Sequence, residues 1–200
     1  MDCTCPESSS LIEIVAELCG INLKQIQRLA VQRTQATPSF TPTTILTLSV
    51  WQALQAATDE TKIVVTPLIG GDPVIEPGEA ITNGGGDNST LNGIEEFLGV
   101  NPSKFSCLFK SLTVAIENAM KALRCETSLT VYFILEGGRI ACATVGLTAY
   151  GFSIQSFFIS DRGNAGFGTK DTFKCSFSLP EGWSETLAIY KPTWNPITSL

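Results

Sequence analysis

Leu129-Thr130-Val131-Tyr132-Phe133-Ile134-Leu135 runs directly into Glu136-Gly137-Gly138-Arg139 and then into Ile140 to Thr148. The first run is apolar and β-rich at odd and even positions alike, the pattern of a central strand buried on both faces. The glycine pair between two such runs is a hairpin signal. The stretch therefore predicts an antiparallel β fold whose core is built around residues 129–135.

Towards the C-terminus the same grammar continues. Phe152 to Ile159 predicts another strand, and Asp161-Arg162-Gly163-Asn164-Ala165-Gly166-Phe167-Gly168 predicts a long glycine-rich connection. Phe173, Cys175, Phe177 and Leu179 alternate with Thr172, Lys174, Ser176 and Ser178, the mark of a strand with one buried face. Leu187 to Tyr190 predicts a last strand, and Pro192 and Pro196 an extended tail.

Upstream, residues 102–124 predict one long helix. Asn101 is a suitable cap and Pro102 a suitable first residue. Phe105, Leu108, Phe109, Leu112, Ala115, Ile116, Ala119 and Leu123 recur at three- and four-residue steps, and Glu117 and Lys121 are spaced i,i+4. Residues 67–102 are turn-rich, with Pro67, Pro73, Pro77 and Pro102 flanking Gly84-Gly85-Gly86-Asp87-Asn88. No Lys-Ser/Thr pair follows these glycines, so a flexible loop is expected rather than a phosphate cradle. Asp87, Asn88 and Ser89 lack the EF-hand spacing for calcium. Gln25 to Arg33 and Ile63-Val64-Val65 predict strands, and Thr43 to Val50 is ambiguous. Ser49-Val50-Trp51-Gln52 matches a capping box and predicts a short helix at 50–57.

The sum is about eight strands, one long helix and one short one. Without strand–helix alternation a parallel sheet is not expected. The fold class is mainly β with α: an antiparallel β-sandwich or partial barrel with one long flanking helix. Residues 1–22 read as an N-terminal arm, with Leu11 to Leu18 able to form a helical turn or two, and 23–200 as a single β-rich domain.

Composition narrows the function. The chain has 200 residues, of which 44% are hydrophobic and only 16% charged, with net charge −6. The low charge leaves the surface to be covered by Ser, Thr, Asn and Gln or by partner subunits, and the positive mean hydropathy favours the subunits. The acidic balance excludes the basic stripe of a sequence-reading nucleic-acid binder. The absence of histidine removes His-dependent hydrolases and His-ligated zinc or iron sites. Seven cysteines, at 3, 5, 19, 107, 125, 142 and 175, read as free thiols in a reducing cytoplasm. A zinc site on Cys3 and Cys5 would lack a second pair. No apolar run is long enough for a membrane span, and the start has no signal-peptide pattern. No catalytic, cofactor-binding or metal residues are assigned.

Gln25-Ile26-Gln27-Arg28, Thr61-Lys62-Ile63-Val64-Val65-Thr66-Pro67-Leu68-Ile69, Ile81-Thr82-Asn83-Gly84-Gly85-Gly86-Asp87-Asn88, Leu129-Thr130-Val131-Tyr132-Phe133-Ile134 and Gly182-Trp183-Ser184 are similar to segments of phage tail tube proteins, especially those of phages of Bacteroidetes hosts. The resemblance implies a sandwich whose hairpins join across subunits into an inner β-barrel. It further implies homo-oligomeric rings, usually hexameric, stacked into a tube. Its partners would be other phage tail proteins and DNA that passes without specific binding, with no membrane; its place would be the virion. Family lumens are often acidic, with which a charge of −6 is compatible. A tail terminator, baseplate hub or head-tail connector has a related fold and stays open at this stage.

Two other classes are weighed on the residues. An enzyme would need paired carboxylates, for which Glu95, Glu96, Asp161 and Asp171 are the candidates. A carbohydrate-binding β-sandwich would use exposed aromatics, for which Trp51, Trp183, Trp194 and Tyr190 are the candidates. The simpler reading of the former is solvated loop charge, and of the latter core or interface packing.

Overall fold

The computed structural model describes residues 22–23, 25–34, 40–71, 73–86 and 89–200. The N-terminal arm, its helical turn, Cys3, Cys5, Cys19, Asp87 and Asn88 lie outside the described residues, except for Asn22. In chain order the elements are β1 (Ile26–Arg33), α1 (Leu48–Ala56), β2 (Val64–Val65), β3 (Val74–Glu76), β4 (Ala80–Asn83), β5 (Glu96–Val100), β6 (Ser103–Lys110), α2 (Val114–Ala122), β7 (Leu129–Leu135), β8 (Arg139–Val145), β9 (Thr148–Tyr150), β10 (Phe152–Ile159), β11 (Thr172–Leu179), β12 (Leu187–Tyr190) and α3 (Pro196–Ser199). Every strand pairing is antiparallel, so the chain is mainly antiparallel β with some helix.

β7 is the hub. All of its residues are buried. One edge pairs along its whole length with β1, from Ile26↔Leu135 to Arg33↔Leu129. The other edge is divided: Phe133–Leu135 pair with β8, and Leu129–Val131 with the start of β10. The β7–β8 hairpin turns at Gly137 and Gly138, whose φ of 76° and 72° only glycine adopts cheaply. A first sheet thus runs β2-β1-β7-β8-β12.

β10 carries the chain into a second sheet, β10-β11-β6-β3. Its first residues pair with β7, and those from Gln155 onward pair with β11. Ser156, at φ 56°, sits in the register shift between Gln155 and Phe158, a bulge that bends the strand. The second sheet folds over the first. Phe105 of β6 and Phe133 of β7 are three strands apart in the sheet, yet their ring centroids are 5.6 Å apart. Phe105, Phe109, Phe173 and Phe177 from one sheet and Leu129, Val131, Phe133 and Phe152 from the other fill this core. Of the two expected architectures, sandwich or partial barrel, this packing is that of a sandwich.

A second cluster lies on the opposite face of the first sheet. Tyr132, Ile134, Ile140 and Cys142 point there, against Phe40, Ile45, and Trp51 and Leu54 of α1. Tyr190, Trp194, Ile197 and Leu200 close the layer. Arg28 fastens it, its guanidinium donating to the carbonyls of Thr66 (2.8 Å), Ile197 (3.1 Å) and Leu200 (2.8 Å). The segment after Pro192 is therefore not an extended tail: Asn195 caps α3, and Pro196 is buried.

The long flanking helix is not formed. Residues 103–110 are strand β6, and only 114–122 are α-helix. Phe105, Leu108, Phe109 and Leu112 satisfy a helical period, but Phe105, Cys107 and Phe109 equally satisfy a period of two. The neighbouring strand decides. β11 presents Phe177, Cys175 and Phe173 directly opposite these three residues. Ser111 then breaks the strand at φ 54°, and Thr113, rather than Asn101, caps the helix by accepting from the Ile116 nitrogen at 3.3 Å. Likewise α1 starts at Leu48 after Thr47, without a side-chain cap, so the Ser49–Gln52 capping box is not made. The turn-rich reading of 67–102 missed β3, β4 and β5; with β6 counted as well, the described residues form twelve strands.

Phe133 touches the aromatic rings of both sheets, so Phe133→Ala should cost about 3–5 kcal/mol of stability. Phe158→Ala, at a half-exposed site, should cost under about 1 kcal/mol. Chemical denaturation of the two variants checks the difference.

Candidate functional site

Strands β3 and β6 do not end where the second sheet ends. Past Pro77-Gly78 and Asn101-Pro102 the same two legs continue as β4 and β5, a separate two-stranded ribbon. The legs pinch at its base. The Asn101 nitrogen donates to the Glu79 carbonyl at 2.8 Å, and a Cβ on Gly78 would stand 1.7 Å from the Asn101 oxygen. Only glycine fits there. Gly84, Gly85 and Gly86, all at positive φ, form the far end with Thr90 packed against Gly84. The glycine tract is thus the tip of an arm.

The arm is exposed on both faces. Ile81, Leu91, Ile94, Phe97 and Leu98 all stand in solvent, Leu91 at 81% and Phe97 at 61%. Its charge is also distinctive. From Ile63 through Ser103 there is no lysine or arginine, while Asp72, Glu76, Glu79, Asp87, Glu95 and Glu96 are acidic. The chain carries 19 acidic and 13 basic residues, so these six account for its entire net charge of −6. Sequence reading by periodicity passed over the arm because its strands are short and their apolar residues line no core face. The cation-free stretch was the signal that would have found it.

The remaining carboxylate candidates belong to a different feature. Glu117 on α2 accepts from Lys121 at 2.7 Å and Arg162 at 3.1 Å, Lys121 reaches Asp161 at 2.5 Å, and Arg162 pairs with Asp171 at 2.9 Å. Arg162 also lies over the Phe173 ring at 5.2 Å. This network ties α2 to the β10–β11 connection. Lys121 holds Glu117 and Asp161 below the usual carboxylate range, and Asn164 together with Arg162 does the same to Asp171. Asp161 and Asp171 are each committed to a cation, and Glu95 and Glu96 stand on the arm, so the structure does not bring the four together.

The aromatic candidates are packing residues. Trp51 is fully buried, stacks on Phe40 at 4.5 Å and donates to the Ile45 carbonyl. Trp183 sits edge-on to Phe152 at 5.2 Å and donates to the Ser103 hydroxyl at 3.3 Å. Trp194 donates to the Leu46 carbonyl at 2.7 Å, and Tyr190 packs on the second cluster. They lie on opposite faces of the first sheet and form no common platform. Of the thiols, Cys107 and Cys175 face each other across β6 and β11, and their mutual hydrogen bond and burial raise the Cys107 pKa. Burial pushes Cys142 up to about 12. Among the described residues no helix is long and apolar enough to cross a membrane.

No protein-family model matches this chain, and no curated protein matches its sequence. Two solved structures are similar to it. One is described as the tail of an empty gene transfer agent particle with C6 symmetry, at 14% identity and a TM-score of 0.35, covering 62% of this chain and 84% of that one. The other is the virion of a native gene transfer agent particle, at 15% identity and a TM-score of 0.35, covering 62% of this chain and 87% of that one.

The network and the arm each give a test. The folded pKa values of Glu117, Asp161 and Asp171 are depressed, so their contribution is present above the ordinary values of 4.5 and 3.8 and is lost as pH falls through the folded ones. Stability should decline on acidification below about pH 4.5. Glu117→Gln with Asp161→Asn should flatten that decline, read from melting temperature against pH. Gly78→Val should force the legs apart and raise amide exchange at Asn101 by about tenfold or more, with the sandwich core still protected.

Proposed function

We propose that the chain is a non-catalytic, self-assembling structural subunit of a phage tail, most specifically of its tube. Copies form homo-oligomeric rings, hexameric on the family pattern, that stack around a DNA conduit. The observation that carries this reading is the arm. A two-stranded ribbon with no third strand among the described residues is marginal in water by itself. Here it also exposes five large apolar side chains and both of its edges. Such an element is completed by a neighbour. The body of the chain supplies a matching surface, an apolar groove of about 450 Å³ beside α2 lined by Val64, Val65, Pro67, Ile116, Ala119 and Met120.

The second sheet supports the same reading. It is aromatic on its inner side and polar on its outer side. The outer edge of β3, and β10 beyond Ile154, have no further strand partner among the described residues. A four-stranded sheet of this kind, repeated around an axis, is the unit from which an inner barrel is built. The packed roles of Trp51, Trp183, Trp194 and Tyr190 leave the carbohydrate-binding reading without a platform.

Negative-stain microscopy with sedimentation of the purified chain tests the proposal. Rings or tubes should form as concentration rises, and Phe97→Ser with Leu98→Ser should shorten or abolish them while circular dichroism stays unchanged. A chain that remains monomeric at high concentration overturns the proposal.

A further inference from the structure

The register of the second sheet fixes what its outer face displays. Phe105, Cys107 and Phe109 of β6 point inward, so Lys104, Ser106, Leu108 and Lys110 point outward. Opposite them on β11 stand Ser178, Ser176, Lys174 and Thr172, and on β3 Glu76 stands opposite Lys104. Among the described residues the face therefore carries Lys104, Lys110 and Lys174 against one carboxylate, Glu76, with Val74 and Phe158 as its exposed apolar side chains. All three lysines are exposed, and none makes an ion pair among the described residues. Alternation holds them there: no lysine can turn inward without displacing an aromatic core residue. On a chain whose net charge is −6, this is a locally cationic, hydroxyl-rich surface.

We propose that this face binds the phosphate backbone of nucleic acid without reading its sequence. Lysine ammonium groups and serine and threonine hydroxyls are the donors that grip phosphate oxygens. Lys104 and Lys110 stand roughly 20 Å apart along one strand, with Lys174 between them on the next, so one copy spans several phosphates. The competing anion is the acidic arm of a second copy. It fits this face less well, because the arm exposes five large apolar side chains, whereas the face offers them only Val74, Leu108 and Phe158 among its lysines, serines and threonine. The inference rests on the ring reading in one respect. The first sheet is buried on both faces, so a ring closed through the second sheet turns this open face towards the conduit. Each copy then brings Lys104, Lys110, Lys174 and Glu76 to the conduit, where the resemblance alone led to an acidic lining.

The test compares the full chain with K104Q/K110Q/K174Q and with K62Q/K191Q, a control on exposed lysines elsewhere. Binding of mixed-sequence linear duplex DNA is measured by fluorescence anisotropy over a salt series, beside microscopy and sedimentation. The triple variant should bind DNA about tenfold or more weaker at low salt, with a shallower salt dependence, and the control should match the parent. Normal rings with unchanged DNA affinity in the triple variant overturn this inference alone. Absence of rings in every variant overturns the ring reading; DNA affinity of the dispersed chain that the triple variant loses still upholds the face, and equal affinity rejects it. Loss of self-association with DNA affinity retained assigns the face to the acidic arm and overturns the proposal.

Discussion

Phe133 on β7 lies against Phe105 and Phe177 of the second sheet, while its neighbours Tyr132 and Ile134 face the other way into the helical layer. One strand is thus a wall shared by two cores, and most of the architecture follows from that. A strand buried on both faces has to satisfy its backbone through its edges, and β1, β8 and β10 divide those edges between them. Because β8 and β10 share one edge, β10 outruns β7 and is free to bend away at the Ser156 bulge. The second sheet then returns over the first. The buried polar groups that this geometry traps are paired: the Tyr132 hydroxyl donates to Gln32, whose amide donates to the Thr61 carbonyl. Among the described residues no buried side-chain polar atom lacks a partner.

The parts of the fold that could be read from sequence are those whose pattern is unambiguous over seven or eight residues. β7 and β8 show it as a mostly apolar run, β11 as strict alternation, and β10 as alternation broken only at the Gln155–Ser156 bulge. Residues 102–124 were misread because Phe105, Leu108, Phe109 and Leu112 fit two periods at once, and only the partner strand separates them. That information is non-local, since β11 lies about sixty residues further along the chain. The arm was missed for another reason. Its apolar residues are not buried within the chain, so they follow neither the helical nor the strand rule for a core face. Glycine richness marked the tip correctly but gave no hint of the paired strands behind it.

The low charged fraction now has a structural explanation. The first sheet is covered on both sides and needs no polar face. The open face of the second sheet uses Ser106, Ser176 and Ser178 where most soluble sheets would place more charge. What charge remains is divided by place. The cation-free stretch from Ile63 to Ser103 holds the whole net charge, and outside it acidic and basic residues balance at 13 each; within it Glu79, Asp87, Glu95 and Glu96 belong to the arm, and Asp72 and Glu76 precede it.

That division constrains how copies can meet. Two arms cannot pair with each other cheaply: each is acidic, and neither carries a lysine or arginine to offset its partner's carboxylates. An isologous arm-to-arm contact, the usual basis of a simple dimer, is therefore disfavoured. On the proposed reading the arm's apolar residues are covered by the body of another copy, which holds all of the chain's lysines and arginines. A contact between an arm on one copy and a body on the next is heterologous. Each copy that accepts an arm still has its own arm to place. Heterologous contacts of this type propagate until they close into a ring or continue as a helical stack. On the proposed reading, an acidic arm on a body that holds all of the chain's lysines and arginines thus favours rings and stacks over the dimer.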